Sequence, residues 1–331
     1  MHDFEFAAPQ TEAEAVALLA PERGRAEVLA GGTDLVPLLE KMVVAPSRVV
    51  SIAGIASLKM IRRDDERGEL VLGAGVTLDE LLKSDSLADY PAIRHAIEGI
   101  NSPQLQAQGT LGGEICRRPM CWYYRSGHGL LADRGREVAA GDNRYHAILG
   151  NGGAAKFVHA SRIAPALVAL GASLRIIGPG PDEEKYVPAG DFFRTPRSDG
   201  DRENVLMPGE LVSHIILPAV ESATNATYEV RQSAGPDMPL AAAAASLEML
   251  GPMVKSARVV LGQVAPVPWP SPEAAAAILG RPVDESTAEA AGAAAVSRAT
   301  LLSGNAYKVQ LAKTAVKRAI LLAAGQDPGG F

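Results

Sequence analysis

The sequence predicts an α+β protein: two small α/β subdomains, then a smaller domain of antiparallel strands and helices. Three observations predict it. Up to about residue 178, short apolar runs alternate with helical stretches. The turn-rich, acidic stretch Gly178-Pro179-Gly180-Pro181-Asp182-Glu183-Glu184-Lys185 then breaks the composition. Beyond it, strand-like runs precede alanine-rich helical runs that need a small sheet to pack on. These observations divide the chain into residues 1–178, subdivided near residue 55, and residues 179–331.

Taken in order, Thr11 caps a helix over 11–19, with Glu12 and Glu14 in its first turn and Ala15, Leu18 and Leu19 on its apolar face. A strand over 26–30 runs into a glycine loop, a helix follows over 34–42, and a second strand lies at 48–52. This β-turn-α-β start puts the loop at a strand end, where ligands bind in such folds. Residues 70–72 read as a strand, Thr77 caps a helix beginning at 77–82, and 90–97 is again helical. Residues 116–153 are irregular and rich in Gly, Arg and aromatic side chains, which marks a functional segment or a subunit contact. A helix over 163–170 leads into a strand at 173–177. Past the break, 210–217, 226–231, 240–249 and 254–264 read mainly as strands with one apolar helix. Ala241 to Ala245, with Leu247 and Leu250, suits a buried helix better than a strand leading into one. Helices are expected over 272–279, 285–297 and 307–324, and a loose tail over 326–331.

The 331 residues are 47% hydrophobic and 21% charged, an ordinary globular balance. The net charge of -6 argues against nucleic acid or an anionic membrane as partner. The basic pairs Arg62-Arg63 and Arg117-Arg118 read as solvated surface. The N-terminal residues resemble no secretory leader, and no apolar run is long enough for a membrane span. Two cysteines imply a reducing compartment, hence the cytoplasm, and no disulfide framework.

Two glycine loops carry the chemistry. One comprises Ala30, Gly31, Gly32, Thr33, Asp34 and Leu35; the other Thr110, Leu111, Gly112, Gly113 and Glu114, preceded by Gly109. Paired glycines let backbone N–H groups approach a ligand, and a threonine adds a hydroxyl. Two such loops suggest an elongated ligand with a diphosphate, gripped from two sides. Neither is a P-loop, and Gly73-Ala74-Gly75 has Leu78 where a Rossmann fingerprint needs its third glycine.

At this point the chain resembles the FAD-binding medium subunit of the molybdenum hydroxylases, the xanthine dehydrogenase, carbon monoxide dehydrogenase and aldehyde oxidoreductase group. LAGGTDL at 29–35 resembles the first FAD loop of that family and GTLGGE at 109–114 the second. VLGAGVTLDEL at 71–81 resembles the piece between them. MPGELVSHIILP at 207–218, LGQVAPVPW at 261–269 and GNAYKVQLAKTAVKRAI at 304–320 resemble its C-terminal domain. The resemblance implies a two-subdomain FAD domain followed by an α+β domain. It implies that the diphosphate is held by N–H groups of Gly31, Gly32, Thr33 and Asp34 on one side and Thr110, Gly112 and Gly113 on the other. Leu111 would lie near the isoalloxazine, and Glu114 stands where the family usually has Asn.

The implied task is electron relay, from iron–sulfur clusters of a small subunit through FAD to an external acceptor, after a large molybdenum-cofactor subunit oxidises substrate. The molybdenum cofactor and the clusters belong to those partners, in a heterotrimer or a dimer of heterotrimers. The alternatives are an assembly subunit whose flavin site has decayed and a stand-alone flavin oxidase.

CRRPMCWYYRSGHG at 116–129 resembles one branch, typified by 4-hydroxybenzoyl-CoA reductase, in which an inserted segment binds a four-iron cluster. Cys121 matches the first cluster cysteine, but Val138 or a neighbour and Ala155 stand where later ligands belong, so no cluster is expected. Cys116 matches no ligand position, and His128, His146 and His159 read as structural. Trp122, Tyr123 and Tyr124 suit an electron path, a flavin cover or a packing cluster. Arg162 replaces a family Asp and either favours a reduced flavin or pairs with a nearby carboxylate. Lys308 matches a basic family position or is surface.

Overall fold

The computed structural model describes residues 1–19, 22–180 and 182–329. Pro181 of the expected break and the last two residues of the expected loose tail lie outside the described residues.

The first unit contains β1 (Glu5–Ala7), α1 (Glu12–Leu18), β2 (Ala26–Leu29), α2 (Leu35–Glu40) and β3 (Arg48–Ser51). Its strands form a parallel sheet in the order β1-β3-β2. Parallel pairing requires crossovers, which the two helices provide. Thr11 caps α1, its hydroxyl accepting from the Glu14 N–H at 3.2 Å, worth about 1 kcal/mol. Ala15 and Val16 bury against Ile52, Ile55 and Leu58.

The second unit begins with the hairpin β4 (Ile61–Arg63) and β5 (Leu70–Gly73). The helices α3 (Leu78–Lys83), α4 (Pro91–Glu98), α5 (Pro103–Gln108), α6 (Leu111–Ile115), α7 (Trp122–Arg125), α8 (Arg136–Ala140) and α9 (Ala164–Leu170) follow. The unit closes with β6 (Ser173–Ile177), β7 (Glu184–Pro188), α10 (Ala189–Phe192) and β8 (Leu211–Leu217). The sheet is antiparallel throughout, in the order β4-β5-β8-β6-β7. The expected boundary at 178/179 falls inside this sheet, because Ile177 pairs with Glu184 across it. Gly, Pro and Asp mark a hairpin turn as well as a linker. The change to the next sheet comes after Leu217.

The last unit holds β9 (Ala223–Val230), β10 (Ala241–Leu250), β11 (Met253–Gly262), β12 (Trp269–Pro270), α11 (Pro272–Ile278), α12 (Glu285–Ala295) and α13 (Lys308–Ala323). Its antiparallel order is β12-β11-β10-β9. The expected buried helix at 241–245 is thus a strand. Ala241, Ala243, Ala245 and Leu247 face the core beneath α11–α13, whereas Ala244 faces the core of the second unit. Burial on both faces gives a strand a continuous apolar run, and pairing on both edges outweighs the helix propensity of alanine.

The segment 116–153, expected to be irregular, contains α7 and α8. Between them Ala132, Asp133 and Arg134 have φ of 47°, 53° and 54°. Left-handed backbone costs a non-glycine residue about 1–2 kcal/mol. The Gly135 N–H, donating to the Leu131 carbonyl at 2.6 Å, ties the turn together.

Candidate functional site

The first glycine loop leaves β2 and enters α2. Gly32 has φ of 76°, a conformation natural to glycine. A Cβ on Gly31 would stand 1.6 Å from the Gln108 carbonyl oxygen. The first loop therefore rests directly on the chain leading into the second. No backbone carbonyl among the described residues accepts from the N–H groups of Gly31, Gly32, Thr33 or Asp34. Successive free N–H groups of this kind form an anion site.

The second loop is arranged differently. Thr110 caps α6, its hydroxyl oxygen accepting from the Gly113 N–H at 3.2 Å. The Leu111 N–H donates to the Val76 carbonyl at 2.9 Å and the Gly112 N–H to that of Ala74 at 2.8 Å. These donors are satisfied within the fold and are not left over for a ligand. Gly112 is needed for packing, since a Cβ there would lie 2.7 Å from that of Ala74. Leu111 is fully buried in the core of the second unit and does not reach the cleft. Glu114 also lies outside the cleft lining; its Oε1 accepts from the Arg162 N–H and its Oε2 from Arg117, both at 2.8 Å.

The remaining expected residues do converge. Ala30, Gly31, Gly32, Thr33, Asp34 and Leu35 line one cleft together with Thr110, Gly112 and Gly113. The cleft holds a cavity of ≈ 200 Å³. Residues 206–212 also line it, so the piece at 207–218 assigned to the C-terminal domain runs from the site into β8.

Sequence reasoning missed two charged pairs, of which Arg118, Arg202 and Glu27 line the cleft. Arg118 donates to Glu203 at 3.1 Å and Arg202 to Glu27 at 2.6 Å. Arg117 and Arg118, expected at the surface, are only 13% and 14% exposed. Burial works against the charge of Arg118, but Glu203, Tyr124 and Glu27 outweigh it and hold its pKa above the ordinary arginine value. A position directly after the second loop was the available signal.

Cys116 lines the cleft, and burial pushes its thiol up to about 12. The Cys121 sulfur lies 3.2 Å from His146 Nε2. Among the described residues no three His, Cys, Asp or Glu side chains are placed to hold a metal. Val138 and Ala155 are buried apolar residues. His128 contacts Glu137 at 2.9 Å, and His159 packs edge-on to Phe193. The Trp122 and Tyr123 rings pack around His146, with centroids 5.7 and 5.8 Å away. Arg162 is buried, donating to the Gly99 carbonyl at 2.7 Å, with its Nε 3.3 Å from Glu229. Lys308 is not at the surface; its buried ammonium donates to the carbonyls of Tyr145 and Gln263 at 3.0 and 2.7 Å.

Comparison with known proteins gives consistent matches. A family model described as the FAD binding domain in molybdopterin dehydrogenase matches residues 2–220, and one described as the CO dehydrogenase flavoprotein C-terminal domain matches residues 226–323. The interval between them coincides with the passage from β8 to β9. The chain is 30% identical over 274 residues to the aldehyde oxidoreductase FAD-binding subunit PaoB of Escherichia coli, covering 81% of this chain and 84% of the relative. It is 28% identical over 322 residues to the carbon monoxide dehydrogenase medium chain of Hydrogenophaga pseudoflava, covering 96% of each. A solved structure of carbon monoxide dehydrogenase from that organism superposes with a TM-score of 0.77 at 25% identity, covering 98% of both chains.

Proposed function

Because the chain belongs to the FAD-binding subunit family of the molybdopterin dehydrogenases, we propose that it binds one FAD between its glycine loops and relays electrons within a multi-subunit molybdenum hydroxylase. The observation that carries this reading is the convergence of both loops on one cleft, with four N–H groups that have no backbone acceptor among the described residues. Free N–H donors lining a cleft fit a dinucleotide diphosphate.

In this reading Gly31, Gly32, Thr33 and Asp34 hold the diphosphate through their N–H groups. The Thr110 hydroxyl keeps its own proton free to donate, since its oxygen serves as acceptor for Gly113. Gly112 and Gly113 shape the facing wall, Ala30 and Leu35 flank the first loop, and residues 206–212 cover the rest of the ligand from water. Leu111 and Glu114 anchor α6 from its buried side, through the core and through Arg162 and Arg117. The flavin, when bound, supplies the electron-transfer chemistry, while the protein supplies binding, orientation and electrostatics.

The partners are a large subunit with the molybdenum cofactor and a small subunit with iron–sulfur clusters, in a heterotrimer or a dimer of heterotrimers. No helix of the described residues is long and apolar enough to cross a membrane, and the cytoplasm is the proposed location. The test is purification of the chain. A yellow protein that releases FAD on denaturation, reduces a dye with an artificial donor and oxidises no aldehyde or purine until its partners are added supports the relay. A colourless chain that still joins the complex indicates an assembly subunit. Full substrate oxidation by the chain alone refutes the relay role.

A further inference from the structure

Asp34 ends the run of free N–H groups in the first loop, and its carboxylate is fully engaged. Oδ1 accepts from Arg125 Nη2 at 2.6 Å and Oδ2 from the Arg118 N–H at 2.9 Å. The Asp34 and Arg125 side chains are only 17% and 12% exposed. Arg125 also donates to the carbonyls of Pro119 at 2.8 Å and Arg118 at 3.0 Å. One guanidinium therefore closes segment 118–125 on itself and joins it to the loop. The Arg118 and Arg125 guanidiniums both lie over the Tyr124 ring, 5.2 and 5.9 Å from its centroid. Tyr124 packs with Leu38 of α2, which lines the cleft.

We propose that segment 118–125 is a clamp for the flavin loop: Arg125 fixes Asp34 and cancels its charge, so that the adjoining N–H groups stay poised for an anion. This rests on the FAD reading above. An uncompensated carboxylate beside a diphosphate would repel it, and a low-dielectric cleft strengthens that repulsion. The fork of Arg125 makes three bonds that a lysine cannot reproduce together. The retained segment thus has a task here that needs no metal.

The experiment is a titration of flavin-free chain with FAD, followed by fluorescence quenching, with melting temperatures recorded in parallel. Arg125→Gln is expected to weaken binding by about tenfold or more, the mark of breaking a charged pair of low exposure. The double variant Asp34→Asn/Arg125→Gln is expected to recover part of that loss, because the uncompensated charge is gone. A purely structural segment would give no such recovery. Wild-type affinity in Arg125→Gln, or no recovery in the double variant, overturns the clamp. Should Arg125→Gln fail to fold, Arg125→Lys carries the test: severalfold weaker binding at an unchanged melting temperature supports the clamp, and unchanged affinity overturns it. A wild-type chain that takes up no FAD refutes the function reading itself.

Discussion

The substitution Gly31→Ala tests how the two loops are joined. Its Cβ would lie 1.6 Å from the Gln108 carbonyl oxygen and 2.6 Å from the carbonyl carbon. Ordinary contact begins near 3.4 Å, so the loops must part by about 1.8 Å (3.4 minus 1.6). The obstacle is backbone and has no flexible side-chain end that can swing away. Overpacking of this kind costs about 1–3 kcal/mol. If all of it falls on the ligand-binding geometry, the FAD dissociation constant rises about 5-fold to about 140-fold, at 1.4 kcal/mol per factor of ten. Gly152→Ala is the control: nothing lies within 4 Å of a Cβ there, and the residue is outside the cleft lining. The assay is the flavin-to-protein ratio from absorbance after dialysis, together with the melting temperature. Wild-type flavin content and melting temperature in Gly31→Ala, no different from Gly152→Ala, would refute this account of the loops.

Three other outcomes are expected. Burial holds the pKa of His146 near 4 and that of His159 near 3, so below about pH 6.5 the unfolded chain binds more protons and stability falls, by up to about 1.4 kcal/mol per pH unit for each histidine. Burial raises Glu229 to about 7, which acts in the opposite sense between about pH 7 and 4.5; Glu229→Gln should therefore steepen the loss of melting temperature on acidification, and a flatter profile would contradict the sign. Cys116, with its thiol pushed up to about 12, should alkylate slowly at neutral pH, and more slowly still with FAD bound, as peptide mass mapping will show. Iron and acid-labile sulfide in the purified chain should be near zero and indifferent to Cys121→Ser; stoichiometric iron lost in that variant would contradict the absence of a cluster.

The glycine loops were legible because paired glycines beside threonine mark places where backbone must come close to something. What they approach was not legible. Gly31 and Gly112 meet Gln108 and Ala74, and the donors of Leu111 and Gly112 are captured by carbonyls more than thirty residues earlier in the chain. Among the described residues the first loop keeps four successive N–H groups without a backbone acceptor, whereas in the second Leu111 and Gly112 are bonded, a difference set by tertiary contacts. Ala241 to Ala245 misled for a related reason. Alanine favours a helix locally, whereas this run is paired on both edges and buried on both faces. Arg118 reads as surface in sequence because its partners, Glu203 and Tyr124, come from other parts of the chain or depend on the fold of the segment.

The position of β8 sets the order in which this site can be made. The strand lies between β5 and β6, although more than thirty residues of chain separate it from β6 and more than a hundred from β5. A ribosome that has released only the first 180 residues has delivered both glycine loops but neither the central strand of the second sheet nor the wall at 206–212. Long-range antiparallel pairing of this kind is slow and leaves edges open until it completes. Cofactor capture must therefore wait for about two thirds of the chain. A fragment cut at the Gly178 turn would carry the whole loop signature and still lack a cleft to hold the ligand.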